Sequence, residues 1–207
     1  MPNIGIMGLA GSGKDTAGKW LVDNRGYSRV AFADPLKEAA LKVDPIIEQR
    51  RDVDEDGEEF TYNVGLNWLV EDHGWEYVKD NVPEVRRFLQ ELGASIRALD
   101  PDFWLRQALK KSASVSERTG CPVVITDVRY PNEVAALRNA GWHLVYIDRP
   151  GTPRMAHESE RLTEANADYV IQNFGFLEDF HAKVERFWER VNRFESRRED
   201  ARSLPFA

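Results

Sequence analysis

A glycine-rich run near the start of the sequence has the composition of a phosphate-binding loop. Residues 8–16 read GLAGSGKDT. They follow the apolar residues 4–7, which predict a buried strand, and they open a predicted helix that begins at Lys14. Glycines let the backbone curl with its N–H groups pointing inward, and the helix start adds partial positive charge. Lys14, which we expect on a solvent-facing loop, adds a mobile charge for the β- and γ-phosphates of a nucleotide.

One position departs from the usual G-x-x-x-x-G-K-[ST] pattern of such loops. The residue after the lysine is Asp15 instead of serine or threonine, and Thr16 comes one place later. The Mg²⁺ that accompanies nucleotide phosphates prefers oxygen ligands. Two interpretations stay open: either Asp15 helps to organise Mg²⁺, directly or through water, or Thr16 shifts to do so.

Two further apolar runs lead to acidic residues. Residues 123–127 (VVITD) predict a strand that ends at Asp127, and residues 29–33 (RVAFA) predict a strand that is followed by Asp34. In a parallel sheet, ligands gather outside the carboxyl ends of the strands. We therefore expect Asp127 to help organise the metal and Asp34 to lie near the metal or the acceptor. The alternative for each is an ordinary strand-end or helix-capping acid.

Arginines follow two of the predicted strands. Arg129 comes two residues after Asp127, and its planar guanidinium suits a pair of phosphate oxygens. Arg149 and Arg154 belong to an aperiodic stretch rich in Arg, His and Glu. Phosphoryl transfer depends mainly on positioning and on positive charge around the migrating group, so we expect residues 149–167 to form a mobile lid that excludes water. The alternative is a solvated loop with its own ion pairs.

The order of the predicted elements is that of an α/β protein with a parallel sheet. We predict one domain over residues 1–207, a P-loop kinase fold with a five-stranded parallel sheet flanked by helices. An excursion over 44–85, with an acidic loop at 44–63, and the arginine-rich lid interrupt it, and a polar tail over 194–207 frays. The predicted strands are 4–7, 29–33, 122–128, 142–147 and 169–171; the predicted helices are 14–24, 35–43, 66–79, 84–99, 101–111, 131–140 and 177–191.

The composition excludes several classes of protein. Of the 207 residues, 42% are hydrophobic and 30% are charged, an ordinary globular balance. A formal net charge of −7 argues against a general nucleic-acid binder, and no apolar stretch reaches the roughly 18 residues of a membrane span. The single cysteine, Cys121, rules out an intrachain disulfide. We expect a cytoplasmic protein whose partners are small molecules, with a homodimer as the default assembly.

Short motifs, in consistent order along the chain, resemble those of the phage-type deoxynucleoside monophosphate kinases, a branch of the P-loop nucleotide kinases. GKDT is usual in that family, so Asp15 is no anomaly there. The resemblance implies transfer of the γ-phosphate of ATP to a deoxynucleoside monophosphate with Mg²⁺ as cofactor, a supply of DNA precursors, and location in the host cytoplasm for a phage protein. The matching motifs are GSGKDT (11–16), FADPLK (32–37), RRFLQELG (86–93), FW (103–104), ITDVRYPNE (125–133), HESE (157–160) and DYVIQNFG (168–175).

Together, the residue patterns and the resemblance assign roles to single residues. The expected ATP-binding residues are Gly11, Ser12, Gly13, Lys14, Asp15, Thr16, Arg149, Asn173 and Gly175, of which the last two would form the turn that lies against adenine. The expected acceptor-binding residues are Asp34, Lys37, Arg86, Gln90, Trp104 and Arg129, with an amide at Gln90 to read a base edge and a ring at Trp104 for stacking. The expected metal-organising residues are Asp15, Thr16 and Asp127, and the expected catalytic residues are Lys14, Asp34, Arg129 and Arg154.

Two other interpretations of the sequence are alternatives to a deoxynucleoside monophosphate kinase. Another small-molecule kinase of the same fold, of the phosphomevalonate or dephospho-coenzyme A type, would need a different residue set around 86–104. A nucleotide-binding switch or ATPase would hydrolyse ATP without an acceptor, but the sequence has no N-K-x-D guanine motif. The base that is accepted would be set within 44–85, where the family motifs are weakest, so we carry no specificity over.

Overall fold

A computed structural model describes residues 1–153 and 162–203 of the chain. Two compact units form: Met1–Phe32 together with Ala108–Ala207, and Ala33–Gln107. Arg154 and the HESE motif lie outside the described residues, so the expected lid over 149–167 stays a prediction. The single-domain organisation also stays a prediction.

The five predicted strands of the sheet are present, together with two further strands and a run of four consecutive helices. In chain order they are β1 (Ile4–Met7), α1 (Lys14–Arg25), β2 (Ser28–Val30), α2 (Asp34–Val43), β3 (Ile46–Val53), β4 (Glu59–Gly65), α3 (Leu66–His73), α4 (Trp75–Asn81), α5 (Pro83–Leu99), α6 (Phe103–Thr119), β5 (Val123–Ile125), α7 (Pro131–Asn139), β6 (His143–Asp148), β7 (Tyr169–Gln172) and α8 (Leu177–Ser203). A 3₁₀ turn, Glu164–Asn166, precedes β7.

The first unit contains a five-stranded sheet in the order β2-β5-β1-β6-β7, in which every neighbouring pair is parallel. Ile4 of the central strand lies opposite Val124 on one side and His143 on the other. The predicted α/β fold with a five-stranded parallel sheet is confirmed. All five strands therefore end at the same edge, and the segment that follows each strand starts there.

The core of the first unit joins this sheet to the helices that cover it. Strands β1, β5 and β6 are buried along their whole length or nearly so, as strands covered on both faces must be. The long helix α8 buries residues spaced four, three and four apart, which places them on one face. Those residues are Phe180, Val184, Phe187 and Val191.

The stretch 44–63 was expected to be an irregular acidic loop, and that expectation is wrong. Strands β3 and β4 form an antiparallel hairpin, with Arg50 opposite Tyr62. At its tip, the carboxylate of Asp54 accepts hydrogen bonds from the backbone N–H groups of Asp56 and Glu58, at 3.0 and 2.8 Å. Ten of the fifteen strand residues of the hairpin are exposed and only Val64 is buried, so the sequence lacks the alternation of apolar and polar residues that reveals a half-buried strand.

Two helices of the second unit replace the single helix predicted over 66–79. Gly74, with φ 78°, separates α3 from α4. Together with α2 and α5, the helices α3 and α4 bury a small separate core. Its residues are Ala40, Val64, Leu66, Leu69, Val78 and Val85.

The polar end of the chain is more ordered than expected. Helix α8 continues through Ser203, where a fraying tail was predicted from residue 194. A side-chain hydrogen bond helps to hold this part of the helix, because Glu195 lies 2.9 Å from the ring nitrogen Nε2 of the buried His143. Among the described residues, no helix is both long and apolar enough to cross a membrane.

Replacing Phe180 by alanine tests the packing of α8 on the sheet. Phe180 is 1% exposed, so Phe180→Ala should lower the free energy of unfolding by about 3–5 kcal/mol. The matched control is Phe176→Ala, because Phe176 is 79% exposed and its loss should change stability by under about 0.5 kcal/mol. Denaturant unfolding of both variants measures the difference; equal effects would contradict this packing.

Candidate active site

The loop between β1 and α1 depends on three glycines. Gly8, Gly11 and Gly13 have φ angles of 145°, 76° and 104°, a region that other residues rarely adopt. A Cβ atom at Gly8 would also lie 2.5 Å from the carbonyl oxygen of Ile147. The loop thus curls tightly at the edge where the strands end, and Gly13 caps α1. This is the strand–loop–helix geometry that binds phosphate through backbone N–H groups.

Lys14 lies inside this loop, and the expectation that it faces solvent is wrong. It is only 8% exposed, and its Nζ donates a hydrogen bond of 2.7 Å to the carbonyl oxygen of Leu9. A buried ammonium group needs such a partner because desolvation disfavours its charge. The charge is therefore held against the loop backbone, where the phosphates of a nucleotide would bind.

Residues that follow β6 and β7 hold the loop from one side. Nδ2 of Asn173 donates to the carbonyl oxygen of Ser12 at 2.7 Å, and Nη1 of Arg149 donates to the carbonyl oxygen of Gly11 at 3.3 Å. A Cβ atom at Gly13 would lie 2.5 Å from the Asn173 amide nitrogen, so this contact itself requires glycine. Asn173 and Arg149 thus contact the loop directly. The contact of Asn173 and Gly175 with adenine stays a prediction.

Asp15 is tied to the strand on the other side of β1. The hydroxyl group of Thr126, directly after β5, donates to Oδ1 of Asp15 at 3.0 Å. Nη2 of Arg29 lies 3.7 Å from the same oxygen. Asp15 and Thr16 are both exposed at the start of α1. The carboxylate is thus oriented, whereas no hydrogen bond to a described residue fixes the side chain of Thr16.

Asp127 has a structural partner in addition to its expected metal role. Its Oδ1 accepts a hydrogen bond of 2.8 Å from the backbone N–H of Phe32, the last residue of the Met1–Phe32 segment of the first unit. The described residues contain no group of three or more His, Cys, Asp or Glu side chains arranged to hold a metal ion.

Arg129 is positioned through its backbone by Glu133. This carboxylate is 4% exposed and accepts hydrogen bonds from the N–H groups of Arg129, at 2.7 Å, and Tyr130, at 3.1 Å. Two hydrogen bonds to one carboxylate fix the short segment between β5 and α7. The side chain of Arg129 is exposed at the same sheet edge as the loop.

The remaining expected acceptor residues lie in the second unit. Asp34 begins α2, and Nζ of Lys37 lies 5.2 Å from the centre of the Trp75 ring. Trp104 is 4% exposed, and its indole N–H donates to the carbonyl oxygen of Gly93 at 3.1 Å. Its ring is thus packed inside the unit, and its stacking on a base stays a prediction.

Arg86 and Gln90 are exposed one turn apart on α5, so they share a face of that helix. The neighbouring Arg87 is engaged elsewhere, because it hydrogen-bonds Glu84 and Glu91. The hydrogen bond from Arg87 also lowers the pKa of Glu84. No ion pair within the described residues involves Arg86, which leaves its guanidinium group accessible on the surface of α5.

The sequence model of one protein family, deoxynucleotide monophosphate kinase, matches residues 70–184 of this chain, more than half of its length. The chain belongs to the deoxynucleotide monophosphate kinase family. It is an ATP-dependent nucleotide monophosphate kinase, and the nucleotide-kinase reading of the sequence is confirmed. The glycine loop precedes the matched region, so its assignment as a phosphate loop rests on its own sequence and geometry.

Two viral proteins are among the similar sequences. One, from Acanthamoeba polyphaga mimivirus, carries the provisional name of a deoxynucleotide monophosphate kinase; it is 28% identical over 188 residues, which cover 87% of this chain and 93% of that protein. The other, the uncharacterized protein ORF77 of Ictalurid herpesvirus 1, is 36% identical over 110 residues, covering 51% of this chain and 48% of that protein.

The solved structures that match this chain include kinases. A dephospho-CoA kinase from Campylobacter jejuni has a TM-score of 0.46 at 12% identity and covers 93% of this kinase and 98% of its own chain. The protein TT1252 from Thermus thermophilus has a TM-score of 0.45 at 21% identity, with coverages of 92% and 96%. Similarities this distant carry no argument about the substrate.

Three side-chain contacts at the site were not predicted from the sequence. Thr126 orients Asp15, Glu133 holds the Arg129 backbone, and Asn173 holds the phosphate loop. Only Glu133 carries a local signal, since it stands three residues after Tyr130 and two after Pro131, the spacing of a residue that caps its own helix. The other two act over 111 and 161 residues of sequence, so no short motif reveals them.

Removing the Asn173 amide tests its hold on the loop. Asn173→Ala deletes the hydrogen bond to Ser12 and should raise the KM for ATP about two- to tenfold, because one such bond contributes roughly 0.5–1.5 kcal/mol. Asn192→Ala is the matched control, since Asn192 also donates to a backbone carbonyl, that of Trp188, but within α8. Steady-state kinetics at saturating acceptor measures both; an unchanged KM for ATP in Asn173→Ala would show that the loop does not need this contact.

Proposed function

We propose that this kinase transfers the γ-phosphate of ATP, bound with Mg²⁺ at residues 8–16, to a deoxynucleoside monophosphate whose phosphate is held by Arg129. The observation that carries the proposal is the buried Lys14 ammonium group inside a glycine loop at the edge where the strands end. The family assignment supplies the class of acceptor.

The loop residues support binding of the ATP phosphates. The Lys14 amine would exchange the Leu9 carbonyl oxygen for oxygens of the β- and γ-phosphates, which are stronger acceptors because they are charged. The hydroxyl group of Ser12 is 1% exposed and has no hydrogen-bond partner among the described residues. A buried polar atom without a partner in a loop of this shape supports a polar ligand there.

The transfer itself needs little covalent chemistry from the protein. An oxygen of the acceptor phosphate attacks the γ-phosphorus while the bond from that phosphorus to the β–γ bridging oxygen breaks, which gives ADP and the deoxynucleoside diphosphate. Lys14 and Arg129 would stabilise negative charge on the two sides of the migrating group. Arg149, which already contacts Gly11, and Arg154 would add positive charge on the donor side.

The donor set at the start of α1 fits Mg²⁺. This ion usually keeps several water ligands and binds one or two protein oxygens together with substrate phosphates, so it requires no cluster of three acidic residues. Asp15 is exposed, and Thr126 orients its carboxylate; Thr16 and Asp127 complete the proposed set. When bound, Mg²⁺ neutralises phosphate charge.

Residues of the second unit are also proposed to bind the acceptor. Asp34, Lys37, Arg86, Gln90 and Trp104 are the proposed contributors. The base that is accepted would be set by residues of the excursion 44–85. A cytoplasmic location and a homodimeric assembly remain predictions from the sequence.

A panel of acceptors tests the proposed reaction. ADP formation is measured from ATP and Mg²⁺ with each deoxynucleoside monophosphate offered singly, beside a control without acceptor. We expect turnover with one or a few acceptors and almost none in the control. Equal ADP release with and without acceptor would indicate an ATPase. If no deoxynucleoside monophosphate supported ADP formation, the acceptor would be another compound.

Lys14→Ala should lower kcat/KM at least about 100-fold, because it removes a charge aimed at the migrating group. The control is Lys19→Ala on the same helix, whose side chain is 77% exposed and pairs with Asp23; it should keep wild-type kinetics. Because Lys14 is buried, thermal unfolding must show that the variant is folded. A folded Lys14→Ala variant with near-wild-type turnover would contradict the assignment of the phosphate loop.

Arg129→Ala should raise the KM for the acceptor roughly 10- to 100-fold, the loss of a charge-assisted hydrogen bond of about 1.5–3 kcal/mol. The KM for ATP should change far less. Arg118→Ala, an exposed arginine at the end of α6, serves as the matched control. Initial rates with each substrate varied in turn measure the effect, and an unchanged acceptor KM would remove Arg129 from the pocket.

A further inference from the structure

The side chain that holds Asp15 comes from the strand beside the phosphate loop. Thr126 directly follows β5, which pairs with β1, and it is 1% exposed. Its hydroxyl group donates a hydrogen bond of 3.0 Å to Oδ1 of Asp15, although the two residues are 111 positions apart in sequence. The residue after the loop lysine is therefore tied to the edge at which β5 ends.

Gly18 lets α1 approach Thr126 closely. A Cβ atom at Gly18 would lie only 2.2 Å from Cγ2 of Thr126, well inside the roughly 3.5–4.0 Å of a carbon–carbon contact. The methyl group of Thr126 thus lies against the backbone of α1, while its hydroxyl group faces Asp15. Because a β-branched side chain has few χ1 rotamers available, contacts on both branches fix the direction of the hydroxyl group.

The carboxylate of Asp15 is held at one oxygen and open at the other. Its side chain is 81% exposed, Oδ1 accepts the hydrogen bond from Thr126, and Nη2 of Arg29 lies 3.7 Å from that same oxygen. Oδ2 has no hydrogen-bond partner among the described residues. One oxygen is therefore fixed in direction, and the other is accessible beside the phosphate loop.

In the usual phosphate loop, the hydroxyl group and the carboxylate stand the other way round. A serine or threonine that follows the lysine and an acid that ends a neighbouring strand together hold Mg²⁺. Here the carboxylate of Asp15 follows the lysine, and the hydroxyl group of Thr126 follows the neighbouring strand. Asp127, one residue further on, directs its Oδ1 to the backbone N–H of Phe32. The hydrogen-bonded pair beside the loop is therefore Asp15 and Thr126.

We propose that Asp15 and Thr126 form a reversed hydroxyl–carboxylate pair, in which Thr126 positions Asp15 for the Mg²⁺ that accompanies ATP. Asp15 presents its open oxygen to the ion, directly or through water, and the buried Thr126 acts only through Asp15. The inference rests on the proposed binding of ATP with Mg²⁺ at residues 8–16.

Loss of the Thr126 hydroxyl group should weaken only the metal-dependent part of nucleotide binding. Without this hydrogen bond the exposed carboxylate can rotate, and Arg29 competes for both of its oxygens. Removing a group that orients a metal-binding side chain typically lowers metal affinity or activity by roughly 10- to 100-fold. A nucleotide without metal does not use this orientation, so its affinity should stay unchanged.

Calorimetric titration with the β,γ-imido analogue of ATP, in Mg²⁺ and in EDTA, separates the two parts of binding. Thr126→Val nearly keeps the shape of the side chain; it should raise the Kd about tenfold in Mg²⁺ and leave the Kd in EDTA unchanged. Thr126→Ala places no second methyl group beside Asp15 and should give the same result, whereas Thr126→Ser keeps the hydroxyl group and should restore most of the affinity. The matched control is Thr119→Val, which removes a hydroxyl group at the end of α6 and should change neither Kd.

A double-mutant cycle shows whether Thr126 acts through Asp15. Asp15→Ala should by itself raise the Kd in Mg²⁺. Adding Thr126→Val should raise it no further, because the carboxylate that Thr126 positions is already absent. Thermal unfolding confirms that each variant is folded.

Three results would overturn the inference and leave the proposed reaction in place. The Thr126→Val and Thr126→Ala variants keep the wild-type Kd in Mg²⁺; or they raise the Kd equally in Mg²⁺ and in EDTA; or Thr126→Val adds its full effect to that of Asp15→Ala. A wild-type chain that binds the nucleotide no more tightly with Mg²⁺ than without it would instead contradict the proposed Mg²⁺ site, and this inference with it.

Discussion

The site depends on one constraint, that five parallel strands end at the same edge of a sheet. Hydrogen bonds between neighbouring strands fix where each one ends, so the phosphate loop after β1 lies between Thr126 after β5 and Asn173 after β7. These two side chains hold the loop at Asp15 and at Ser12. The glycines can then keep φ angles that other residues avoid, because contacts on both sides compensate for their conformational freedom.

Much of the fold could be predicted because burial leaves a record in the sequence. Strands covered on both faces are continuous apolar runs, and α8 repeats its buried residues every three or four positions. The β3–β4 hairpin was not predicted because most of its residues are exposed on both faces, so apolar and polar residues need not alternate. The continuation of α8 was missed because its last turns are polar, and a tertiary tie from Glu195 to His143 has no local signature.

Some features of the candidate site could likewise be predicted from the sequence, and others could not. A phosphate loop is recognisable since glycine is required at fixed positions in a short segment, and Lys14 must follow it. The environment of Lys14 was not recognisable, because its burial depends on how the loop closes over the amine. The partners of Asp15 and Ser12 come from strands that are distant in sequence and adjacent only in the sheet. The chemistry of this site is therefore easier to predict from the sequence than the contacts that position it.

Transfer of the γ-phosphate to the acceptor can be measured directly. ATP carrying a radiolabelled γ-phosphate is incubated with Mg²⁺, the kinase and the preferred deoxynucleoside monophosphate, and the products are separated by chromatography. We expect the label to appear in the deoxynucleoside diphosphate, one equivalent for each ADP formed, with almost none in inorganic phosphate. Label that accumulates in inorganic phosphate at the same rate with and without the acceptor would contradict it.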